Sequence, residues 1–145
     1  MPEKFELEYV AEDGSKKRPV MIHRAIAGTF ERFIGIILEH FQGALPLWLS
    51  PVQAVVVPVS EKQDVKKIYE ELKENGIRAE IYESGETLPK RIREAELQKI
   101  PYILVVGEKE EKNESVNVRH KGKEEEIKIE KMIEKIKKEI EDKTI

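Results

Sequence analysis

Residues 53–59 read QAVVVPV and residues 102–106 read YILVV, two unbroken apolar runs of the kind found in strands buried on both faces. Between them the apolar period changes. Val65, Ile68, Tyr69 and Leu72 share one helical face. Ser60 and Gln63 form a capping-box pattern ahead of that helix, and Asn75-Gly76 supplies a left-handed stop after it. Residues 78–82 read as another strand. Leu88, Ile92 and Ala95 then mark the inward face of a second helix, with Thr87 as its cap and Pro89 tolerated in its first turn. Pro101 punctuates before YILVV. Strand, helix, strand, helix, strand requires right-handed crossovers and a parallel core. After Gly107 the chain is expected to turn back around residues 112–114, with 116–119 as an antiparallel partner and 124–129 as an edge strand. Ile129, Met132, Ile133, Ile136 and Ile140 give the closing helix an apolar stripe opposite a charged face. The expected class is α/β: a mixed five-stranded sheet flanked by three helices.

Upstream the rhythm differs. FELEYV at residues 5–10 alternates as a half-buried strand does, Asp13-Gly14 signals a turn, and Pro19 to Ile22 begins a second strand. Phe30, Phe33, Ile34, Ile37 and Phe41 then form a helical stripe that Gly43 can end. The irregular connector LPLWLSP, residues 45–51, follows. The expected division is residues 1–44, a strand-hairpin-helix piece, and residues 45–145.

Charged residues make up 38% of the 145, with Lys and Glu dominant, and hydrophobic residues 39%. The first figure suits a surface of ion pairs such as thermophiles carry, and the second suffices for a core. There is no cysteine, which excludes disulfides and thiolate metal sites within the chain. No apolar run approaches the ~20 residues needed to span a bilayer, and no signal peptide opens the sequence. A soluble, cytoplasmic protein without a membrane partner is expected. The net charge of −3 argues against strong nonspecific polyanion binding. Residues 88–123 nevertheless hold nine Lys and Arg against six Glu, a modestly basic stretch in an acidic chain.

No glycine-rich phosphate loop, no G-x-S-x-G elbow and no H-E-x-x-H occurs. His23, His40 and His120 are scattered, and scattered histidines without cysteine are usually ordinary residues. The local residues alone describe no enzyme. Open α/β sheets do, however, collect ligands at the carboxyl ends of their parallel strands, here near residues 59–60, 83–85 and 107–109. If the hairpin turns near Asn113, Arg119 returns to the level of residues 107–109. A guanidinium fork beside Glu108 or Glu110 would suit nucleic-acid base edges; a plain surface ion pair is the simpler alternative.

Residues 18–35, RPVMIHRAIAGTFERFIG, closely resemble motif 3 of class II aminoacyl-tRNA synthetases in the form found in threonyl-tRNA synthetases. The likeness continues through EHFQGALPLWLSPV at 39–52 and RIREAELQKIPYILVVGEKE at 91–110. It implies that residues 1–44 are the end of the catalytic domain and residues 45–145 an anticodon-binding domain. By the same resemblance Gly28 and Arg32 would contact ATP, used with magnesium, the arginine stacking on adenine. His23 would be one ligand of a catalytic zinc whose other ligands, a Cys and a His, are absent here. Motifs 1 and 2 are absent too, so this chain alone is expected to be inactive and to hold neither ATP nor zinc, whereas the full-length enzyme would be a homodimer. Glu110 and Arg119 align with positions that bond anticodon bases of threonine tRNA. Arg93, with Arg91 and Lys90, would serve the tRNA backbone or local support. Gly85 and Thr87 stand where many relatives carry Asn and Lys, so base contacts are not carried over to that loop. Two other readings compete. One is the same domain of a sister enzyme for proline, histidine or glycine; the other is a standalone regulatory or interaction protein derived from one. WLSPVQ and the setting of His23 favour threonine, and Gly28 with Arg32 weigh against a regulator.

Overall fold

The structure is a computed structural model and describes residues 1–60, 64–83 and 85–145. Its contacts divide the chain into two units, Met1–Ile36 and Ile37–Ile145.

The larger unit is built on a five-stranded mixed sheet of order β4-β3-β5-β6-β7. The central strand β3, Ala54–Pro58, pairs in parallel with β4, Ala79–Ile81, and with β5, Tyr102–Val106. Its residues are buried throughout, as QAVVVPV demanded. Ala54 and Val56 enter one apolar cluster; Val55 and Val57 enter the other, on the opposite face. On the first face lie α2, Lys66–Glu74, and α5, Ile129–Glu141, through Ile68, Leu72, Met132, Ile133 and Ile136. On the second lies α3, Leu88–Leu97, through Leu88 and Ala95.

The helix ends show which sequence signals operate. Gly76, at φ +76°, donates to the Lys73 carbonyl and Ile77 to that of Leu72, the paired bonds of a Schellman stop. Gln63 lies outside the described residues; α2 itself starts at Lys66, whose N–H donates to the Asp64 carboxylate. Thr87 occupies the cap position of α3 but its hydroxyl makes no cap bond. Its carbonyl instead accepts from the N–H groups of Lys90 and Arg91.

The segment after Gly107 departs from expectation. In place of a bare turn it forms a short fourth helix, α4, Glu108–Asn113, and Glu114 follows in the left-handed region at φ 50°. The antiparallel strands β6, Ser115–His120, and β7, Lys123–Lys128, complete the sheet. A helix rises 1.5 Å per residue and a strand about 3.4 Å, so α4 takes up sequence without travel and displaces the register. Arg119 is paired with Ile103, not with the level of residues 107–109. The juxtaposition of Arg119 with Glu108 or Glu110 at one sheet edge is therefore wrong.

A connector clamp holds residues 45–51 to this sheet. The Gln53 amide donates to the Leu47 carbonyl and accepts the Arg78 N–H. The Arg78 guanidinium donates to the Trp48 and Ser50 carbonyls, at 2.8–3.0 Å.

The smaller unit has a two-stranded antiparallel hairpin, β1, Tyr9–Val10, with β2, Lys16–Lys17. Residues 19–22 are not a strand. None of Met1–Ile36 is buried, so nothing apolar extends the hairpin beyond its turn. Helix α1, Phe30–His40, begins in this unit and buries no residue.

Candidate nucleic-acid interface

At the carboxyl ends of β3 and β4 a single guanidinium ties three segments. Arg91 is 4% exposed. Its Nη1 donates to the carbonyls of Pro58 at 2.8 Å and Tyr82 at 3.1 Å, and its Nε to that of Glu86 at 3.0 Å. Burial pulls its pKa below the ordinary value, and the three carbonyl dipoles favour the charge that burial opposes. Nε and Nη1 are thus held inside the fold, tying the loop before α3 to the strand ends. Lys90 is exposed and bonded to the Glu86 carboxylate at 2.7 Å. Arg93 is exposed and makes no ion pair among the described residues, which leaves it the free cation of the three. Gly85 and Thr87 lie in the exposed approach to α3.

Beyond β5 the sheet changes character on the α3 face. The cluster under α3 ends at Ile103 and Val105 of β5 and takes nothing from β6 or β7. Alternation in SVNVRH sends Val116 and Val118 into the opposite cluster. Ser115, Asn117 and Arg119 therefore share the α3 side of the sheet outside that cluster, Ser115 buried and the other two half-buried, and the register sets them against Lys128, Glu126 and Glu124. Arg119 bonds Glu124 at 2.9 Å and the Ser115 hydroxyl donates to Glu126 at 2.8 Å. The Asn117 Oδ1 is enclosed and has no hydrogen-bond partner.

Glu110 stands at the upper end of this face, where its carboxylate accepts the Gly107 N–H at 3.1 Å and closes the first turn of α4. A side chain at Gly107 would come within 2.8 Å of that carboxylate and 3.4 Å of Val59, so glycine permits the approach. Register separates the levels of Gly107 and Arg119 by four residues, about 13 Å along the strands. At the lower end a cleft of about 500 Å³ opens between Lys99, Pro101, Arg119, His120, Lys121 and Glu124. There His120 stacks on Tyr102 at 4.1 Å, with its Nδ1 2.7 Å from the Pro101 carbonyl.

Chemically the face offers carboxylates, an amide and one guanidinium, with lysines at its rim. Carboxylates repel phosphate yet accept from base amines, and a guanidinium donates to guanine O6 and N7. The arrangement suits base edges laid across a strand, with backbone contacts kept to the rim. Asn117, Gln53 and Arg78 were not singled out from sequence. For Asn117 the signal was present in the two-residue period that pairs it with Arg119.

The family of anticodon binding domains has a model that matches residues 53–139. The chain belongs to that family. An anticodon binding domain thus occupies the larger unit. The chain is 53% identical over 144 residues to the threonine–tRNA ligase of Caldanaerobacter subterraneus subsp. tengcongensis, covering 97% of this chain and 22% of that one. It is 57% identical over 125 residues to that of Thermus thermophilus, covering 85% and 19%. It thus spans about a fifth of the length of these curated relatives. Among solved structures it is similar to the RNA binding domain of threonyl-tRNA synthetase from Cryptosporidium parvum Iowa II, at TM-score 0.74 and 38% identity over 94% of this chain and 36% of that one. Prolyl-tRNA synthetase of Cryptosporidium parvum complexed with halofuginone and AMPPNP is similar at TM-score 0.63 and 25% identity over 97% and 31%. The threonine members of the family are favoured over the sister enzyme on both measures.

Outside the anticodon binding domain, Gly28 adopts φ +74°, and a side chain there would lie 3.6 Å from the Arg32 Cδ. Arg32 donates its N–H to the Thr29 hydroxyl at the start of α1. His23 is exposed, and among the described residues no three metal-binding side chains gather. One imidazole does not fit a zinc site. No helix of the described residues is long and apolar enough to cross a membrane.

Proposed function

We propose that this chain reads the anticodon stem-loop of a threonine tRNA as the C-terminal part of a threonine–tRNA ligase. The observation that carries the reading is the polar β6–β7 face holding the half-exposed Arg119, in a chain of this family. Arg119 and Glu110 contact bases at opposite ends of that face, and Arg93 meets phosphate from α3. Lys90 and Arg91 hold the loop that precedes α3. In the whole cytoplasmic enzyme, a homodimer, Gly28 and Arg32 would contact ATP with its magnesium, and His23 would complete a zinc site with ligands from elsewhere. That zinc would supply a Lewis acid toward the amino acid. Without those parts this chain forms no aminoacyl-adenylate, and pyrophosphate exchange dependent on threonine and ATP above a mock preparation would contradict this.

Binding of cognate and anticodon-swapped stem-loops at two salt concentrations tests the reading. Arg119→Ala should cost about 1–3 kcal/mol for the cognate loop and little for the swapped one. Arg93→Ala should weaken both equally and flatten the salt dependence. An equal loss for both loops in Arg119→Ala would remove Arg119 from the base readers.

A further inference from the structure

Asn117 carries an amide that the fold does not use. It lies half-buried mid-strand in β6, two residues from Arg119 on the same polar face, about 7 Å along the strand. Its Oδ1 is enclosed without a donor, and its Nδ2 makes no hydrogen bond and is not enclosed. The side chains opposite, Glu126 and Glu124, are acceptors and offer Oδ1 no donor; they bond the Ser115 hydroxyl and Arg119 instead. Enclosing an amide oxygen without a partner destabilises a fold, so a packing role alone explains Asn117 poorly.

The geometry points to Asn117 as a specificity-determining residue of the RNA face, one that donates from Nδ2 to an acceptor on the base next to the one read by Arg119. This rests on the tRNA reading proposed above. An amide and a guanidinium in succession on one strand face present donors to two successive splayed bases, a spacing a sheet gives without any loop. The acceptor is a carbonyl or ring nitrogen, because the accessible end of the amide donates.

The test titrates the 145-residue chain and its Asn117→Ala, Asn117→Asp and Arg119→Ala variants with threonine-tRNA anticodon stem-loops in which each anticodon base is replaced in turn. Asn117→Ala should lose roughly five- to tenfold of the discrimination at one position, the value of a hydrogen bond, and keep it at the position that Arg119→Ala abolishes. Asn117→Asp, which keeps the shape but replaces the donor by an acceptor, should lose it as well. The thermal midpoint of Asn117→Ala should stay level or rise. Discrimination that Asn117→Ala leaves intact, an equal loss on every loop, or a lowered midpoint would overturn the assignment while leaving the tRNA reading in place. A wild-type chain that binds all loops alike would overturn both.

Discussion

Three side chains are fixed by what surrounds them within a few ångströms. Arg91 joins the carbonyls of Pro58, Tyr82 and Glu86. Arg91→Ala leaves those acceptors unpaired and should cost about 2–3 kcal/mol in urea unfolding. The salt dependence of RNA binding should stay unchanged, since Nε and Nη1 are held by these carbonyls. A parallel loss of salt dependence would return it to the phosphate contacts. At Gly107→Ala the Glu110 carboxylate must swing away and surrender the cap, a loss of about 1 kcal/mol. Tyr102 adds a pH dependence. Burial first, then the bond it donates to Glu139, push its phenol well above the ordinary 10.0. The folded chain keeps that proton after the unfolded chain has released it. Stability present below pH 10 therefore falls above it, by about 1.4 kcal/mol per pH unit from this group. Tyr102→Phe should remove that slope in thermal unfolding followed from pH 9 to 11, and an unaltered slope would assign it to other groups.

At the scale of elements, the connector and the segment after Gly107 behave differently from their sequence. LPLWLSP reads as an irregular link, but Arg78 and Gln53 pin its carbonyls to the ends of β3 and β4. Trp48 is the only tryptophan, so acrylamide quenching reports on the clamp. Arg78→Ala should raise quenching and lower stability by about 1–2 kcal/mol; quenching equal to wild type would mean that packing alone holds the connector. Runs such as QAVVVPV and YILVV made the parallel core legible, because complete burial leaves a continuous apolar signature. The charged string GEKEEKN carries no apolar period, and the helix it forms is settled by one carboxylate reaching back to Gly107. Missing that single bond shifted Arg119 by four residues along β5. A register error of even length leaves a side chain on the same side of the sheet, so the shift moves Arg119 along β5 without turning it over. The connector was illegible for another reason: it is held by its own backbone carbonyls, which every residue has.

Across the whole molecule, stability is unevenly held. Met1–Ile36 buries no residue, whereas Ile37–Ile145 holds both apolar clusters. Trypsin should nick the lysines and arginines before α1 well ahead of any site in the sheet, and cleavage in the sheet at an equal rate would mean that burial does not set the order. Both sheet edges resist further pairing: β4 is three residues long, and β7 reads KEEEIK. The register also dictates an order of assembly. His120 meets Lys123 across a tight turn, whereas Ala54 must find Tyr102 across α2, β4 and α3. Loop closure favours the local pair, so the β6–β7 hairpin should belong to the folding nucleus and the parallel strands should join it later. Val118→Ala should then slow refolding, while Val56→Ala, equally buried, should act chiefly by hastening unfolding. The hairpin would stand complete before the parallel sheet that supports it.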